Sequence, residues 1–204
     1  PRGEEVMTEL DERARRIVET AVALAERDGF AAVRLRDVAA TAQVALGTVY
    51  KRFASKEEIL VAALELESER LLGRLGRQAI PGDIPNERVL HLFTAVTRGM
   101  TRKPNLARAL VRSIASADPN VTERVASFHG MMTALIISAL RGQSAASKQE
   151  FGGDSDVRER DVAGILQQVW FAGLVGWAGG IHDVDAILAN VENAANLLMP
   201  IHKA

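Results

Sequence analysis

Hydrophobic residues recur along most of the chain at intervals of three and four, which is the spacing of one face of an α-helix. Between residues 11 and 28 this pattern places Ile17, Ala21 and Leu24 on a single face, and Gly29 follows as a natural helix end. Aromatic residues make up only 4% of the chain, and alternating runs of β-branched residues are missing. The pattern therefore predicts an all-α fold.

Two short helices are predicted next, at 35–42 and 46–53, with the turn 43–45 between them. A fourth helix is predicted to start at Ser55, because a capping serine followed three residues later by Glu58 has the spacing of a capping box. The segment 80–85, with its Pro and Gly residues, ends that helix. Further helices are predicted at 86–102, 106–115, 120–140, 157–179 and 184–199, with a mobile, Gly- and Ser-rich connection at 141–156.

The two short helices and the helix before them match the helix-turn-helix arrangement. There, the second short helix enters a DNA major groove about 12 Å wide, so it needs one apolar face and one polar face. Val49 and Phe53 lie four residues apart and are expected to pack inward. Small Gly47 allows close approach to the duplex. The side chains left facing outward are those of Thr48, Tyr50, Lys51 and Arg52.

Charge is unevenly distributed over the chain. The formal net charge is −1, which argues against a generally basic nucleic-acid binder. Residues 13–56, however, hold nine Lys or Arg against four acidic residues, a local net charge of +5. Within this region Lys56 falls in the first turn of the fourth helix, where a phosphate can meet both an ammonium group and helix amides. Phosphate binding needs a local positive face of this kind, and the protein as a whole need not carry a positive net charge.

The segment GFAAVRLRDVAATAQVALGTVYKRFASKEEILVAAL resembles the N-terminal domain of the TetR family of transcriptional repressors, and GTVYKRFASKEEIL is its most specific part. The resemblance implies a three-helix DNA-binding domain, here 9–55, followed by a helical domain, here 56–204, that binds a small molecule and forms a dimer. It also implies a palindromic operator that the protein leaves when an effector binds. The predicted DNA-binding residues are Arg34, Arg36, Ala45, Leu46, Gly47, Thr48, Tyr50, Lys51, Arg52 and Lys56.

Three residues depart from the family pattern. Arg34 stands where many members have a Thr that caps the second helix, and Ala45 stands where a Ser often caps the recognition helix. Gln43 replaces the usual turn glycine. If Gln43 adopts a left-handed backbone, the cost is on the order of 1–2 kcal/mol. These departures predict a less rigid DNA-reading head, or extra phosphate attraction from Arg34.

The C-terminal half carries stripes of Met and aromatic residues at helical spacing. Such stripes more often form a plain core, and that alternative stays open. A bundle that mixes Met, Phe and small residues can also enclose an apolar cavity. Few charges fall on these faces, so the expected effector is small, elongated and hydrophobic, with one polar end near Arg108, Arg112 or His129. The predicted ligand-binding residues are Phe93, Val96, Met100, Leu110, Phe128, Met131, Met132, Leu135, Trp170, Phe171 and Leu174.

Two local segments, TRKPNLARALVRS and QVWFAGLVGW, are similar to the KstR-like subgroup of the same family. Members of that subgroup regulate sterol and lipid catabolism in actinobacteria and respond to acyl-CoA thioesters. The similarity implies an acyl-CoA or sterol-like effector.

The last two helices mix small and large apolar residues in a way that suits association. Both helices could instead wrap the core of a single chain. Two such helix pairs related by a two-fold axis form a four-helix bundle, and operator half-sites spaced by whole helical turns require a dimer. The predicted dimer-interface residues are Val169, Gly173, Gly176, Trp177, Ile187, Val191, Ala194 and Leu198.

Two other classes of protein remain as alternatives. A helical di-iron enzyme needs a Glu-x-x-His motif on two helices, and none of the four histidines has a Glu three residues before it. The chain also lacks cysteine, a Gly-rich phosphate loop and a GxSxG motif, so no catalytic residue, cofactor or metal is expected. The second alternative is a helical protein-interaction module, whose binding would not share the steep salt dependence of DNA binding.

Location follows from what the chain lacks. No apolar run is long enough to span a membrane, and residues 1–16 lack the apolar core of a secretory signal. We therefore expect a cytoplasmic protein with no membrane partner.

Overall fold

The computed structural model describes the backbone of residues 2–75, 79–144 and 154–199, with side chains from Glu12 onward except at 65, 69, 72, 74, 75 and 154–156. The described residues form helices α1 to α9 and two short 3-10 turns, Phe30–Ala32 and Pro119–Val121. The helices are α1 Arg2–Asp28, α2 Leu35–Thr41, α3 Leu46–Tyr50, α4 Lys56–Leu75, α5 Pro85–Thr101, α6 Pro104–Ile114, α7 Thr122–Arg141, α8 Asp154–Ala178 and α9 Val184–Leu198.

The predicted all-α class is confirmed. Within the described ranges the sole β feature is one isolated bridge, between Ala79 and Ser144. Two predicted bounds differ most: α1 begins nine residues earlier than expected, and α3 ends at Tyr50, after which the chain turns. Most of the predicted connection 141–156 lies outside the described residues. No helix in the described part of the chain is both long and apolar enough to cross a bilayer.

The chain packs as two compact units. Unit 1 combines Pro1–Glu67 with Lys103–Ala126, and unit 2 combines Ser68–Arg102 with Ser127–Ala204. α6 therefore packs in the same unit as the three N-terminal helices, and α4 contributes residues to both units. These packing units differ from the functional division into 9–55 and 56–204, which stays a prediction.

Unit 1 is built on α1. Its core-facing residues recur at helical spacing and are buried, and α6 packs along the same helix. At one end, Nδ2 of Asn105 donates to the carbonyls of Glu26 and Arg27, which have no partner within α1 because they lie in its last turn. The ammonium group of Lys103 lies 2.8 Å from the Glu26 carboxylate. The buried residues of α1 are Ile17, Val18, Ala21, Val22, Leu24 and Ala25.

Unit 2 joins α5, α8, α9 and most of α7 around a large apolar core. At its centre the rings of Phe93 and Trp170 lie 5.7 Å apart, and the Trp170 indole N–H donates to Thr97 Oγ1 at 2.9 Å. Arg88 supports the C-terminal end of α7: its guanidinium donates to the carbonyls of Ala139 and Leu140 at 2.7 and 3.0 Å. One arginine side chain thereby donates to two carbonyls in the last turn of α7, of which that of Ala139 also accepts from Gly142 N–H at 3.2 Å.

Candidate nucleic-acid interface

The turn between α2 and α3 is closed by backbone hydrogen bonds. Val44 N–H donates to the Ala39 carbonyl at 3.0 Å, and Gln43 N–H donates to Ala40 at 3.2 Å. This geometry requires a left-handed backbone at Gln43, whose φ is +55°. The sequence-based expectation for Gln43 is therefore confirmed, and the position has the conformation that favours glycine.

Neither short helix has a side-chain cap. Arg34 and Ala45 occupy the N-cap positions of α2 and α3 with extended backbones, and neither side chain accepts a hydrogen bond from the following turn. The two missing caps predicted from the sequence are thus confirmed. Because α3 is only 5 residues long, it depends largely on packing for its stability.

α3 presents one buried face and one exposed face. Val49 is completely buried, and Phe53, in the turn that follows, is 4% exposed. On the opposite side Tyr50 is 58% exposed, although it is a large aromatic residue. Lys51 and Arg52 are exposed beside it, Gly47 and Ala45 are exposed at the helix start, and Leu46 and Thr48 are half-buried. The polar face can therefore reach a groove while Val49 anchors the helix.

The flanking basic residues fall into two groups. Arg34 and Arg36 are exposed at the start of α2. Lys56 is half-buried, and its ammonium group lies 3.8 Å from the centroid of the Phe30 ring. The guanidinium of Arg112, on α6, lies 4.3 Å from the same centroid. Phe30 thus binds two cations by cation–π contact and fixes the position of Lys56. This role of Phe30 was not identified from the sequence.

Ser55, the residue before Lys56, both caps α4 and contacts the connection between α6 and α7. Ser55 Oγ accepts from Glu58 N–H at 3.1 Å, which confirms the predicted cap of α4. The Glu58 carboxylate accepts in return from Ala54 N–H rather than from the cap residue itself. Ser55 Oγ also donates to Asp118 Oδ2 at 2.6 Å. This bond and the Asn120 backbone N–H lower the pKa of Asp118.

The residues predicted to bind a ligand are divided between the two units. Leu110 is buried in unit 1, on α6, whereas all the others belong to unit 2. Those buried in unit 2 are Phe93, Val96, Met132, Leu135, Trp170 and Leu174, and those half-buried are Met100, Phe128, Met131 and Phe171. Their role in ligand binding stays a prediction.

The residues predicted at a dimer interface lie mainly where α8 packs on α9 within one chain. Ile187 and Val191 are completely buried there, so they have no surface to offer to a second copy. A side chain at Gly173 would meet Ile187 at 3.0 Å, and the Gly176 position is covered by the His182 ring. Trp177 is 8% exposed. Only Val169, Ala194 and Leu198 of this set keep partial exposure.

A different face of α8 remains exposed. Asp161, Ile165, Gln168, Ala172 and Val175 follow one another at intervals of three and four residues, and each is exposed. Ile165 and Val175 are each 43% exposed, which is high for β-branched apolar residues. We name this set the α8 stripe. The α8 stripe is thus an exposed surface of α8, and the role of the residues predicted at a dimer interface stays a prediction.

No cluster of His, Asp or Glu suited to a metal ion occurs among the residues that the structure describes. The braced pair of short helices, with exposed Lys51 and Arg52 directly after the second helix, defines a helix-turn-helix DNA-binding regulator. The chain belongs to the tetR family of bacterial regulatory proteins. The family model of that name matches residues 17–63, and the tetracyclin repressor-like C-terminal domain matches residues 82–198.

Individual relatives agree with this assignment and with the KstR-like resemblance. The HTH-type transcriptional repressor KstR of Rhodococcus jostii is 32% identical over 92% of this chain and 83% of its own length. KstR of Mycolicibacterium smegmatis is 31% identical over 81% of this chain and 76% of its own length.

Solved structures share the fold. A TetR transcriptional regulator from Rhodococcus sp. RHA1 superposes with a TM-score of 0.75 at 24% identity, covering 95% of this chain and 98% of the other. FadR of Thermus thermophilus, a TetR-family transcriptional repressor in complex with lauroyl-CoA, gives 0.61 at 23% identity, covering 94% and 97%.

Proposed function

We propose that this protein is a cytoplasmic, homodimeric repressor that binds a palindromic operator through α3 and leaves it when a small hydrophobic effector binds. The observation that carries the proposal is that α3 buries Val49 and exposes Tyr50, and that Lys51 and Arg52 are exposed in the turn directly after it. The relatives named as KstR repressors support repression rather than activation.

In the proposed complex α3 enters the major groove. Lys51 and Arg52 contact phosphates or base edges, and the Tyr50 hydroxyl donates to a phosphate. Arg34 and Arg36 contact the backbone beside α2. Lys56, fixed over the Phe30 ring, meets a phosphate at the N-terminal end of α4.

Dimerisation supplies the second recognition helix that a palindrome requires. The α8 stripe supports this part of the proposal because it is apolar at Ile165, Ala172 and Val175, at the spacing of a helix-packing seam. Apolar side chains with this exposure gain free energy when a second copy covers them.

The effector is proposed to bind within unit 2 and to be an acyl-CoA thioester or a sterol-like molecule. The apolar core of that unit and the lauroyl-CoA held by the FadR neighbour support this class. We propose further that α4, which contributes residues to both units, transmits the effect. A coupling of about 1–3 kcal/mol would change operator affinity by roughly 5- to 150-fold.

The proposal is tested first on DNA. The wild-type chain selects a palindromic duplex from a random-sequence library, and affinity for that duplex is measured by fluorescence anisotropy over a range of salt concentrations. We expect Tyr50→Ala and Lys51→Ala to abolish binding without unfolding the protein, and Arg98→Ala, which removes an exposed charge from α5, to leave it unchanged. The wild-type log K should fall with log salt by about 0.9 per phosphate neutralised.

Two results would contradict this proposal. Intact binding by both variants would show that α3 is not the recognition helix, and binding that ignores salt would indicate a protein-interaction module. The dimer is tested separately by sedimentation velocity. Val175→Glu should give monomers, whereas Ala95→Glu, an equal charge on the exposed face of α5, should not. A monomeric wild type would remove the homodimer from the proposal.

A further inference from the structure

We propose that His129 donates the hydrogen bond that orients a carbonyl group of the hydrophobic effector, and that Gln167 and Thr133 are positioning residues that fix the His129 tautomer. The inference rests on the proposed function, because it identifies the group in unit 2 that recognises the effector. The chemistry common to both candidate effectors is a carbonyl oxygen joined to an apolar group, which either an acyl thioester or a sterol ketone supplies.

The argument starts from a buried amide. Gln167 lies on α8 and is only 4% exposed, in a core that is mostly apolar and also buries Thr97 and Ser138. Thr133 Oγ1, on α7, donates to Gln167 Oε1 at 3.1 Å. Because that oxygen accepts the hydroxyl, the amide nitrogen faces His129 and donates to its Nδ1. The three side chains form a directed chain of hydrogen bonds.

The direction of this chain determines where His129 carries its proton. A neutral imidazole has one donor nitrogen and one acceptor nitrogen, and Nδ1 is the acceptor here. The proton therefore sits on Nε2. No side chain that the structure describes, within residues 12–144 and 157–199, forms a hydrogen bond with Nε2 of His129. His129 thus offers one N–H donor with unused capacity.

The surroundings of that donor are apolar and partly open. The rings of Phe128 and Phe171 lie edge-on to the imidazole, with centroids 6.2 and 6.3 Å away. All three rings are half-buried rather than sealed in the core. One donor between aromatic rings suits one carbonyl oxygen next to an apolar group, whereas a sugar or phosphate group at this place would need several donors.

The indole N–H of Trp170 does not compete for this role. One turn further along α8, the Trp170 N–H is already used by Thr97 Oγ1. A core that served packing alone would gain nothing from a buried glutamine, because burying an amide costs free energy unless every partner is supplied. The chain of Thr133, Gln167 and His129 meets that cost and leaves a single directed donor.

The test compares ligands that differ only in the carbonyl. Lauroyl-CoA is paired with the thioether dodecyl-CoA, and 5α-cholestan-3-one in cyclodextrin is paired with 5α-cholestane. Binding to the full-length protein is measured by calorimetry or tryptophan fluorescence. We expect one pair to show roughly 10-fold tighter binding of the carbonyl compound, as for a hydrogen bond in an apolar site. The pair that binds identifies the source of the carbonyl.

Variants then assign the discrimination to His129. His129→Phe should bind both members of the pair equally. His129→Gln, whose amide also donates, should restore part of the preference. His91→Gln, at an exposed position of α5, is the matched control and should change nothing. Nitrogen-15 NMR of the free wild type should show the Nε2–H tautomer, and Gln167→Leu should produce a mixture of tautomers.

Each remaining outcome is decisive. Equal wild-type affinity for both members of a bound pair, or an Nδ1–H tautomer, overturns the role of His129 and leaves the proposed function standing. Both measurements are made on the wild-type protein, so they do not depend on whether the variants fold. If neither pair binds while operator binding is intact, the hydrophobic-effector proposal fails and this inference fails with it. Loss of operator binding by the wild type would instead contradict the proposed function itself.

Discussion

The hydroxyl of Ser55 donates a 2.6 Å hydrogen bond to the carboxylate of Asp118, although the two residues are 63 positions apart in the chain. Ser55 caps α4 directly after the recognition helix, and Asp118 caps the 3-10 turn Pro119–Val121 through Asn120 N–H. One hydrogen bond therefore links the caps of two elements within unit 1. The start of α4 is fixed by a residue that no local sequence pattern connects to it.

This contact gives the stability of the protein a dependence on acid. The pKa of Asp118 is lowered below its ordinary value of 3.8, first by the Ser55 hydroxyl. A lowered folded-state pKa stabilises the fold above the unfolded value, and that contribution is lost as the pH falls below 3.8 towards the folded value. Urea denaturation at a series of pH values should show this loss in the wild type. Asp118→Asn should reduce the slope in that range.

Ser55→Ala removes the serine that caps α4 but keeps the carboxylate of Asp118. It should cost about 0.5–2 kcal/mol of stability at neutral pH, because α4 loses its N-cap. It should also reduce the acid dependence as Asp118→Asn does. An unchanged acid dependence in Ser55→Ala would show that the hydrogen bond between the two residues is not its cause.

Gln43→Gly should stabilise the protein. The left-handed φ of +55° costs a non-glycine residue about 1–2 kcal/mol, and the greater freedom of glycine in the unfolded chain cancels part of the gain. We expect a net increase of about 0.5–1 kcal/mol in the free energy of unfolding. Gln43→Ala is the control, since it removes the amide without relieving the backbone, and it should give no increase. Equal gains from both variants would contradict the backbone explanation.

Ala45→Ser tests the missing cap of α3. A serine oxygen there can accept a hydrogen bond from the first turn of α3 and should add about 0.5–2 kcal/mol to the free energy of unfolding. Hydrogen exchange at α3 should slow in parallel. Ala40→Ser, at an exposed position inside α2, places the same side chain where no cap is needed. If both serines acted alike, capping would not account for the change.

The parts of this structure that sequence could predict are those set by neighbouring residues. The helix-turn-helix follows from apolar spacing at Val49 and Phe53, and the cap at Ser55 follows from the position of Glu58. The strain at Gln43 follows from the conformation that the turn requires. Each of these depends on a few consecutive residues, whose physics is visible in one short segment.

Contacts between distant segments could not be predicted in this way. Nothing near Phe30 indicates that Arg112 will lie over its ring. Likewise, the apolar periodicity of α9 correctly marks Ile187 and Val191 as a face to be covered, but it does not say whether the same chain or a second copy covers it. Periodicity reports burial, whereas the identity of the partner depends on the tertiary arrangement.

Phe30 should couple energetically to Lys56. Phe30→Leu keeps an apolar side chain but removes the ring, and Lys56→Met keeps the length of the side chain but removes its charge. Cation–π contacts at partly exposed sites contribute about 0.5–1 kcal/mol each, so the double-mutant cycle should give a coupling of that size. The cycle is measured by urea denaturation at neutral pH. Strictly additive effects would show that the ammonium group and the ring do not interact.

Gly176 on α8 leaves room for the ring of His182, in the connection between α8 and α9, and an added methyl group tests this contact. A side chain at Gly176 would overlap the His182 ring, which is held in place by a 2.9 Å contact between its Nε2 and the Gly173 carbonyl. Gly176→Ala should therefore destabilise the protein by about 1–3 kcal/mol. Gly164→Ala, in the same helix with open space at the new methyl, should stabilise it by roughly 1 kcal/mol through helix propensity. Thermal and urea denaturation should give opposite signs for the two variants; a shared sign would show that helix propensity outweighs the contact with His182.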